Sequence, residues 1–138
     1  MKIALLTDTH FGARNDNLNF NEYFYDFYEG LFFPYLQQNN IKHCIHLGDL
    51  MDRRKYVSYR ILKDFRERFI QPFNYLKINL HILVGNHDIY FRNTNDINSL
   101  NELLGQRHDN IFIYSEAQEV DFDGFPILIM PWINPQNE

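Results

Sequence analysis

Three short groups of residues in this chain carry side chains able to do chemistry together. They are Asp8-Thr9-His10, Gly48-Asp49-Leu50-Met51-Asp52 and Gly85-Asn86-His87-Asp88, spaced at near-even intervals. Each follows an apolar run that reads as a strand. Carboxylate and imidazole together suit a hard to borderline divalent ion such as Mn²⁺, Fe²⁺ or Zn²⁺. Asp8 and His10 lie two apart on what reads as an extended loop, so both can face one ion. Asp49 can bridge two ions, and the Asn86 amide oxygen can bind the second without adding charge. Two ions a few ångströms apart acidify a shared water and neutralise phosphate oxygens, which is what hydrolysis of a phosphate ester needs. His87 adjoins Asn86 and is placed to protonate a leaving oxygen or stabilise its charge. Asp52 is placed to pair with His87 and fix its tautomer. Asp88 is placed to buttress the loop from behind.

The same residue types have plainer uses. Asp and Asn cap helices and turn loops, and Asp52 can also pair with Arg53 or Arg54. Three motifs in order, each after a strand, favour the site. His43 and His46 flank Cys44, a combination that suggests zinc. Neighbours on one strand alternate between faces, so these histidines read as core or supporting residues. His81 and His108 read as ordinary surface or strand residues, and His81 is at the wrong end of its strand to join the motifs.

The elements that must position these groups follow from periodicity. Lys2 to Thr7, Ile41 to Leu47 and Leu80 to Val84 read as buried strands. Leu18 to Gln38 reads as a helix with an aromatic stripe of Phe20, Tyr23, Phe24, Phe27, Tyr28 and Leu31. That stripe is broad enough to suggest a contact with a second copy as well as a core. Gly30 and Pro34 should break or kink this helix. Val57 to Lys77 is the second helix, which Pro72 should bend or end. Ile97 to Leu104 is a short helix capped by Asn95 or Asp96, and Ile111 to Tyr114 a fourth strand. Asp123-Gly124 between two apolar runs, Val120 to Phe122 and Phe125 to Met130, predicts a β-hairpin. The predicted fold class is α/β. A parallel sheet of βαβαβ units carries helices on its faces and is followed by the hairpin. In such sheets ligands gather beyond the carboxyl ends of the strands, where all three motifs fall.

Composition narrows the class. A chain of 138 residues suits one domain, and its 45% hydrophobic and 17% aromatic content argue against disorder. No apolar run approaches a membrane span, and the segment before the first motif is too short for a signal peptide. The lone Cys44 cannot close an internal disulfide, so a reducing cytoplasm is the default and a buried, inert thiol the expectation. A net charge of −5 is unusual for a nucleic-acid binder, but bound metals would neutralise several carboxylates. Basic residues also cluster after the second motif, at Arg53, Arg54, Lys55, Arg60, Lys63, Arg66 and Arg68. Arg53, Arg54 and Lys55 abut the metal loop, and Arg14 and Arg92 follow the first and third motifs. These five are the candidate phosphate contacts.

In this order and spacing, Asp-x-His, Gly-Asp-x-x-Asp and Gly-Asn-His-Asp resemble the calcineurin-like metallophosphoesterases. The closer resemblance is to the SbcD-type double-strand-break repair nucleases and their phage members. Thr7 to Gly12, Gly48 to Lys55, Asp121 to Gly124 and Met130-Pro131-Trp132 carry it, and it covers nearly the whole chain. The resemblance implies half of a metallophosphoesterase β-sandwich. It implies two divalent ions, Mn²⁺ preferred over Mg²⁺, Fe²⁺ or Zn²⁺, held by Asp8, His10, Asp49 and Asn86, with His87 catalytic. The implied reaction is phosphodiester hydrolysis in DNA, by exonuclease and single-strand endonuclease activity. Implied partners are DNA, an SbcC-type coiled-coil ATPase and a second copy joined through helices of the nuclease domain. The implied setting is the cytoplasm of a bacterium or of a phage-infected host.

Asp52 stands where archaeal and eukaryotic relatives place His, following the bacterial and phage pattern. The family completes its metal site with three further histidines, from Gly-His and Gly-His-x-His segments downstream of the hairpin. Residues 1–138 contain neither, so the expectation is the amino-terminal part of a longer nuclease domain. Two other readings stand beside it. One is a phosphatase or nucleotide phosphodiesterase, although those phosphatases carry Asp-Arg-Gly and Asn-His-Glu where this chain has Asp52-Arg53-Arg54 and Asn86-His87-Asp88. The other is a catalytically incomplete DNA-binding or dimerisation module.

Overall fold

The computed structural model describes residues 1–9, 18–48, 59–83, 109–114 and 116–131, with the backbone alone at 18–21, 59, 61 and 62. Four parallel strands form one sheet in the order β1 (Ile3–Leu6), β2 (His43–His46), β3 (Asn79–Leu83), β4 (Ile111–Tyr114). Leu6 stands opposite His46, His46 opposite Ile82, and Ile82 opposite Ile113. The carboxyl ends of the strands are therefore level, and whatever follows them emerges at one edge. The parallel sheet of the sequence reading is present. The expected helix at Ile97 to Leu104 lies outside the described residues.

Between β1 and β2 the chain runs as α1 (Leu18–Phe27), a π-helical turn (Tyr28–Phe32) and α2 (Phe33–Gln38). Between β2 and β3 it repeats the device, with α3 (Tyr59–Asp64), a π turn (Phe65–Ile70) and α4 (Gln71–Tyr75). The backbone is helical on both sides of Pro34 and Pro72, so neither proline breaks its helix. A proline lacks the N–H for the normal bond and crowds the carbonyl four residues back. Here each proline follows a wide turn. The N–H of Phe33 reaches the Tyr28 carbonyl and that of Gln71 reaches the Arg66 carbonyl, so the backbone stays helical through both junctions.

The π turn also corrects the expected stripe. Tyr23, Phe27 and Leu31 are exposed, and the buried side is Tyr25, Tyr28, Phe33 and Leu36. Tyr25 and Tyr28 keep regular helical spacing, and the one extra residue of the turn carries the buried side on to Phe33. Both helices end in Schellman motifs. Asn40 and Lys77 adopt positive φ, and Ile41 and Ile78 return their N–H groups to Leu36 and Phe73. The two isoleucines enter the core alongside those partners.

The helices bury their aromatic side against one face of the sheet. Tyr25, Tyr28, Phe65, Phe69 and Phe73 pack there with Cys44, Leu80 and Ile82. Cys44 is fully buried, and burial pushes its thiol up to about 12, so it is inert as expected. Arg68 ties the helices at their rim. It pairs with Glu22 and Glu29 and lies 4.6 Å from the Tyr25 ring centroid, holding the Glu22 carboxyl below its ordinary range. Arg60 pairs with Asp64. Two members of the basic cluster are thus committed to the helices' own carboxylates.

The other face is covered by the hairpin of β5 (Gln118–Phe122) and β6 (Phe125–Ile129), paired antiparallel. Asp123 and Gly124 both have positive φ, the condition for the tight turn that their sequence predicts. Phe122 and Ile129 pack on Ile45, Leu83 and Tyr114. His43 Nε2 lies 3.0 Å from the Asp123 carboxylate and anchors the turn to β2.

His81 is buried here, stacked beside Phe112 and Tyr114, with Nδ1 2.6 Å from the Tyr114 hydroxyl. Among the described residues its Nε2 has no partner. Burial first, and the charge of His43 second, lower its pKa from 6.5 to about 4. Between those values the unfolded chain takes up a proton that the folded chain refuses. Stability is therefore complete above about pH 6.5 and falls as pH drops toward 4, by roughly 2 kcal/mol after allowing for solvent screening. Urea unfolding at pH 7, 5.5 and 4.5 should show this decline, and His81→Phe should flatten it. An equal decline in the variant would assign it to other groups.

Candidate functional site

The first two motif loops start from the level ends of β1 and β2. The N–H of Leu47 donates to the Leu6 carbonyl at 2.8 Å, and that of Asp8 donates to the Gly48 carbonyl at 3.1 Å. The residue before Asp49 is therefore laced directly to Asp8. Gly48 takes φ +123°, a conformation that a Cβ would strain. The sequence requirement for glycine before Asp49 follows from that turn.

Asp8 is not extended, as the sequence reading supposed. Its φ is +56°, in the left-handed region that Asp and Asn tolerate better than other non-glycine residues. The Thr7 hydroxyl donates to its carboxylate at 2.8 Å, and the Gly48 bond holds its amide. An uncommon backbone conformation at a proposed ligand is what pre-organised sites show.

Behind these loops stands His46, the last residue of β2, with no exposed surface. Its Nδ1 accepts the Gly48 N–H at 3.1 Å, and its Nε2 lies 2.9 Å from the Thr9 hydroxyl. The expectation of a core or supporting histidine holds for His46 and His43, but they serve different faces. His43 meets Phe122 edge-on at 5.2 Å on the hairpin side. Cys44, between them in sequence, joins the helix-side core. Strand alternation thus puts His43 on the hairpin side and Cys44 on the helix side. Thr9 was not singled out in the sequence. The available signal was a hydroxyl placed between two candidate ligands.

Of the candidate site residues, the structure places Asp8. His10, Asp49, Asp52, Asn86, His87 and Asp88 lie outside the described residues, as do Arg14, Arg53, Arg54, Lys55, Arg92 and His108. Among the described residues no three His, Cys, Asp or Glu side chains form a metal-holding group. The donor set offered by sequence (two carboxylates, an imidazole and an amide) fits a hard to borderline divalent ion, and Asp8 presents the first of them at the strand edge. An apolar groove lined by Ile3, Leu5, Ile45, Leu47, Leu83 and Met130 carries no titratable group and so no chemistry of its own. Among the described residues no helix is long and apolar enough to cross a membrane.

Comparison with known proteins gives three findings. The sequence model of the Calcineurin-like phosphoesterase family matches residues 1–136. Exonuclease subunit 1 of Enterobacteria phage T4 is 32% identical over 137 residues, which is 99% of this chain and 40% of that protein. The chain thus spans about two fifths of the length of that relative. A crystal structure of a protein of unknown function from Aquifex aeolicus aligns with a TM-score of 0.44 at 19% identity, over 91% of this chain and 57% of that one. At that level the structural likeness carries no argument.

Proposed function

The chain belongs to the calcineurin-like phosphoesterase family, and from that premise we propose that residues 1–138 are the amino-terminal part of a DNA nuclease domain. It would hydrolyse phosphodiester bonds with two divalent ions, Mn²⁺ preferred, during recombination and double-strand-break processing. The observation that carries the nuclease reading is the 32% identity to a phage exonuclease subunit along 99% of this chain. The level ends of β1, β2 and β3 and the bond from the Asp8 N–H to the Gly48 carbonyl support it.

In this reading Asp8, His10, Asp49 and Asn86 hold the ions, which when bound neutralise phosphate charge and activate water. His87 delivers a proton to the leaving oxygen, Asp52 fixes the His87 ring, and Asp88 braces its loop. Arg14, Arg53, Arg54, Lys55 and Arg92 contact the DNA backbone, with Arg60 and Arg68 excluded by their ion pairs. Partners are DNA, a coiled-coil ATPase subunit of SbcC type and a second copy. The name of the T4 protein, a subunit, supports an assembly. The exposed Tyr23, Phe27, Leu31 and Tyr35 support a helix-borne contact.

Digestion of labelled duplex and single-stranded DNA with Mn²⁺, beside an EDTA control, tests this. Metal-dependent cleavage is expected. Hydrolysis of phosphomonoesters or cyclic nucleotides without DNA cleavage would replace the nuclease with another phosphoesterase. Salt-sensitive DNA binding without cleavage would replace it with a binding module.

A further inference from the structure

We infer that His46 is the positioning residue that clamps the first metal loop to the second, acting through the hydroxyl of Thr9. The inference rests on the metallophosphoesterase reading above, and it adds two residues that the motifs themselves do not contain as ligands. Its ground is the geometry of one buried ring. Nδ1 accepts a backbone N–H from Gly48, so in the neutral ring the proton sits on Nε2. Nε2 therefore donates to Thr9 Oγ1, across a sequence separation of 37 residues.

Each end of this bridge adjoins candidate ligands. Thr9 lies between Asp8 and His10, and Gly48 immediately precedes Asp49. The ring sits at the end of β2, fully buried, so its orientation is set by the strand and not by solvent. The two backbone bonds, Leu47 to Leu6 and Asp8 to Gly48, fix the loops up to Asp8. Beyond Asp8 the His46–Thr9 bond is the described side-chain link that carries the frame one residue further, toward His10. A ligand set held before the ion arrives loses less on binding it.

A cycle of Thr9→Val, His46→Asn and the double variant tests the clamp. Asn keeps an acceptor in the Nδ1 position for Gly48 but is too short to reach Thr9. Val keeps the shape of Thr without the hydroxyl, and Thr9→Ser restores the hydroxyl. Mn²⁺ affinity is read from the electron paramagnetic resonance signal of the free ion, and the melting temperature is read without metal. Each single variant should weaken Mn²⁺ binding by about 10- to 100-fold. The double variant should lose little more than the weaker-binding single, and Thr9→Ser should bind within about threefold of the parent. Thr9→Val removes an acceptor from a buried ring N–H and should lower the melting temperature somewhat, so Mn²⁺ binding is compared at a temperature where both chains are folded, which separates positioning from folding. Long-range ¹H–¹⁵N correlation should also place the His46 proton on Nε2 in the metal-free chain. Parent-like Mn²⁺ affinity in Thr9→Val, or losses that simply add, would overturn the clamp while leaving the metal reading intact. Absence of Mn²⁺ binding by the parent chain would overturn both the clamp and the reading that Asp8, His10, Asp49 and Asn86 hold an ion by themselves.

Discussion

Asp8→Asn is expected to weaken Mn²⁺ binding by more than about 100-fold, beyond the loss typical of residues that only support a ligand. DNA cleavage should fall with it. The choice of Asn is dictated by the backbone. Asp8 has φ +56°, and Asn accepts that region where Ala would add strain. The change therefore removes a charge and an oxygen donor with little else. Folding stability should move by less than about 0.5 kcal/mol, so lost binding would not be lost folding. His87→Ala supplies the contrast. It should lower cleavage by about 10²- to 10⁴-fold, the usual worth of a positioned acid or base, with Mn²⁺ affinity within a few-fold of the parent. Mn²⁺ titration and DNA digestion on both variants separate holding the ion from moving the proton. Undiminished Mn²⁺ binding by Asp8→Asn would remove Asp8 from the ligand set.

The strands, their parallel order and the hairpin were legible because their signals are local. Apolar runs such as Ile3 to Leu6 and Cys44 to Ile45 admit few alternatives, and Asp123-Gly124 names its own turn. Placing the motifs after strands was enough to bring Asp8 and Gly48 together, since parallel strands with level ends leave the chain nowhere else to emerge. What sequence did not show was the two π turns. A proline in a helix reads as a break, and only tertiary packing decides that a wide turn absorbs it. That turn carries the buried side from Tyr28 to Phe33, five residues on, while Tyr23, Phe27 and Leu31 stay outside. The left-handed conformation of Asp8 was hidden for a related reason. It is imposed by a bond to Gly48, a partner remote in sequence. The frequent asparagines, uninformative as a count, have structural uses at particular positions. Asn40 closes a helix with positive φ, and the Asn110 amide donates to the Phe73 and Ile78 carbonyls at 2.9 and 2.8 Å.

Phe69→Ala should cost about 3–5 kcal/mol, the range for deleting a buried aromatic ring. Against a total stability of roughly 5–15 kcal/mol for a domain, that loss brings the chain close to unfolding. Phe69 is the hub of the helix-side core. It is fully buried, and its ring centroid lies 5.5 Å from Tyr28, 6.3 Å from Phe33, 5.7 Å from Phe65 and 5.3 Å from Phe73. It stands in the second π turn and meets residues of the first helix within and just after its own π turn. The two irregular helices are thus registered against each other through this ring. Phe69→Leu keeps much of the apolar volume and should cost about 1.5 kcal/mol or less. Urea unfolding of both variants at pH 7, above the His81 transition, measures the difference. A loss below about 1 kcal/mol in Phe69→Ala would mean that the helices dock mainly through Arg68 and its partners Glu22 and Glu29. Exposed pairs of that kind rarely supply more than about 1 kcal/mol each, so the aromatic cluster is the stronger candidate for what holds the helices, and with them the sheet face behind His46.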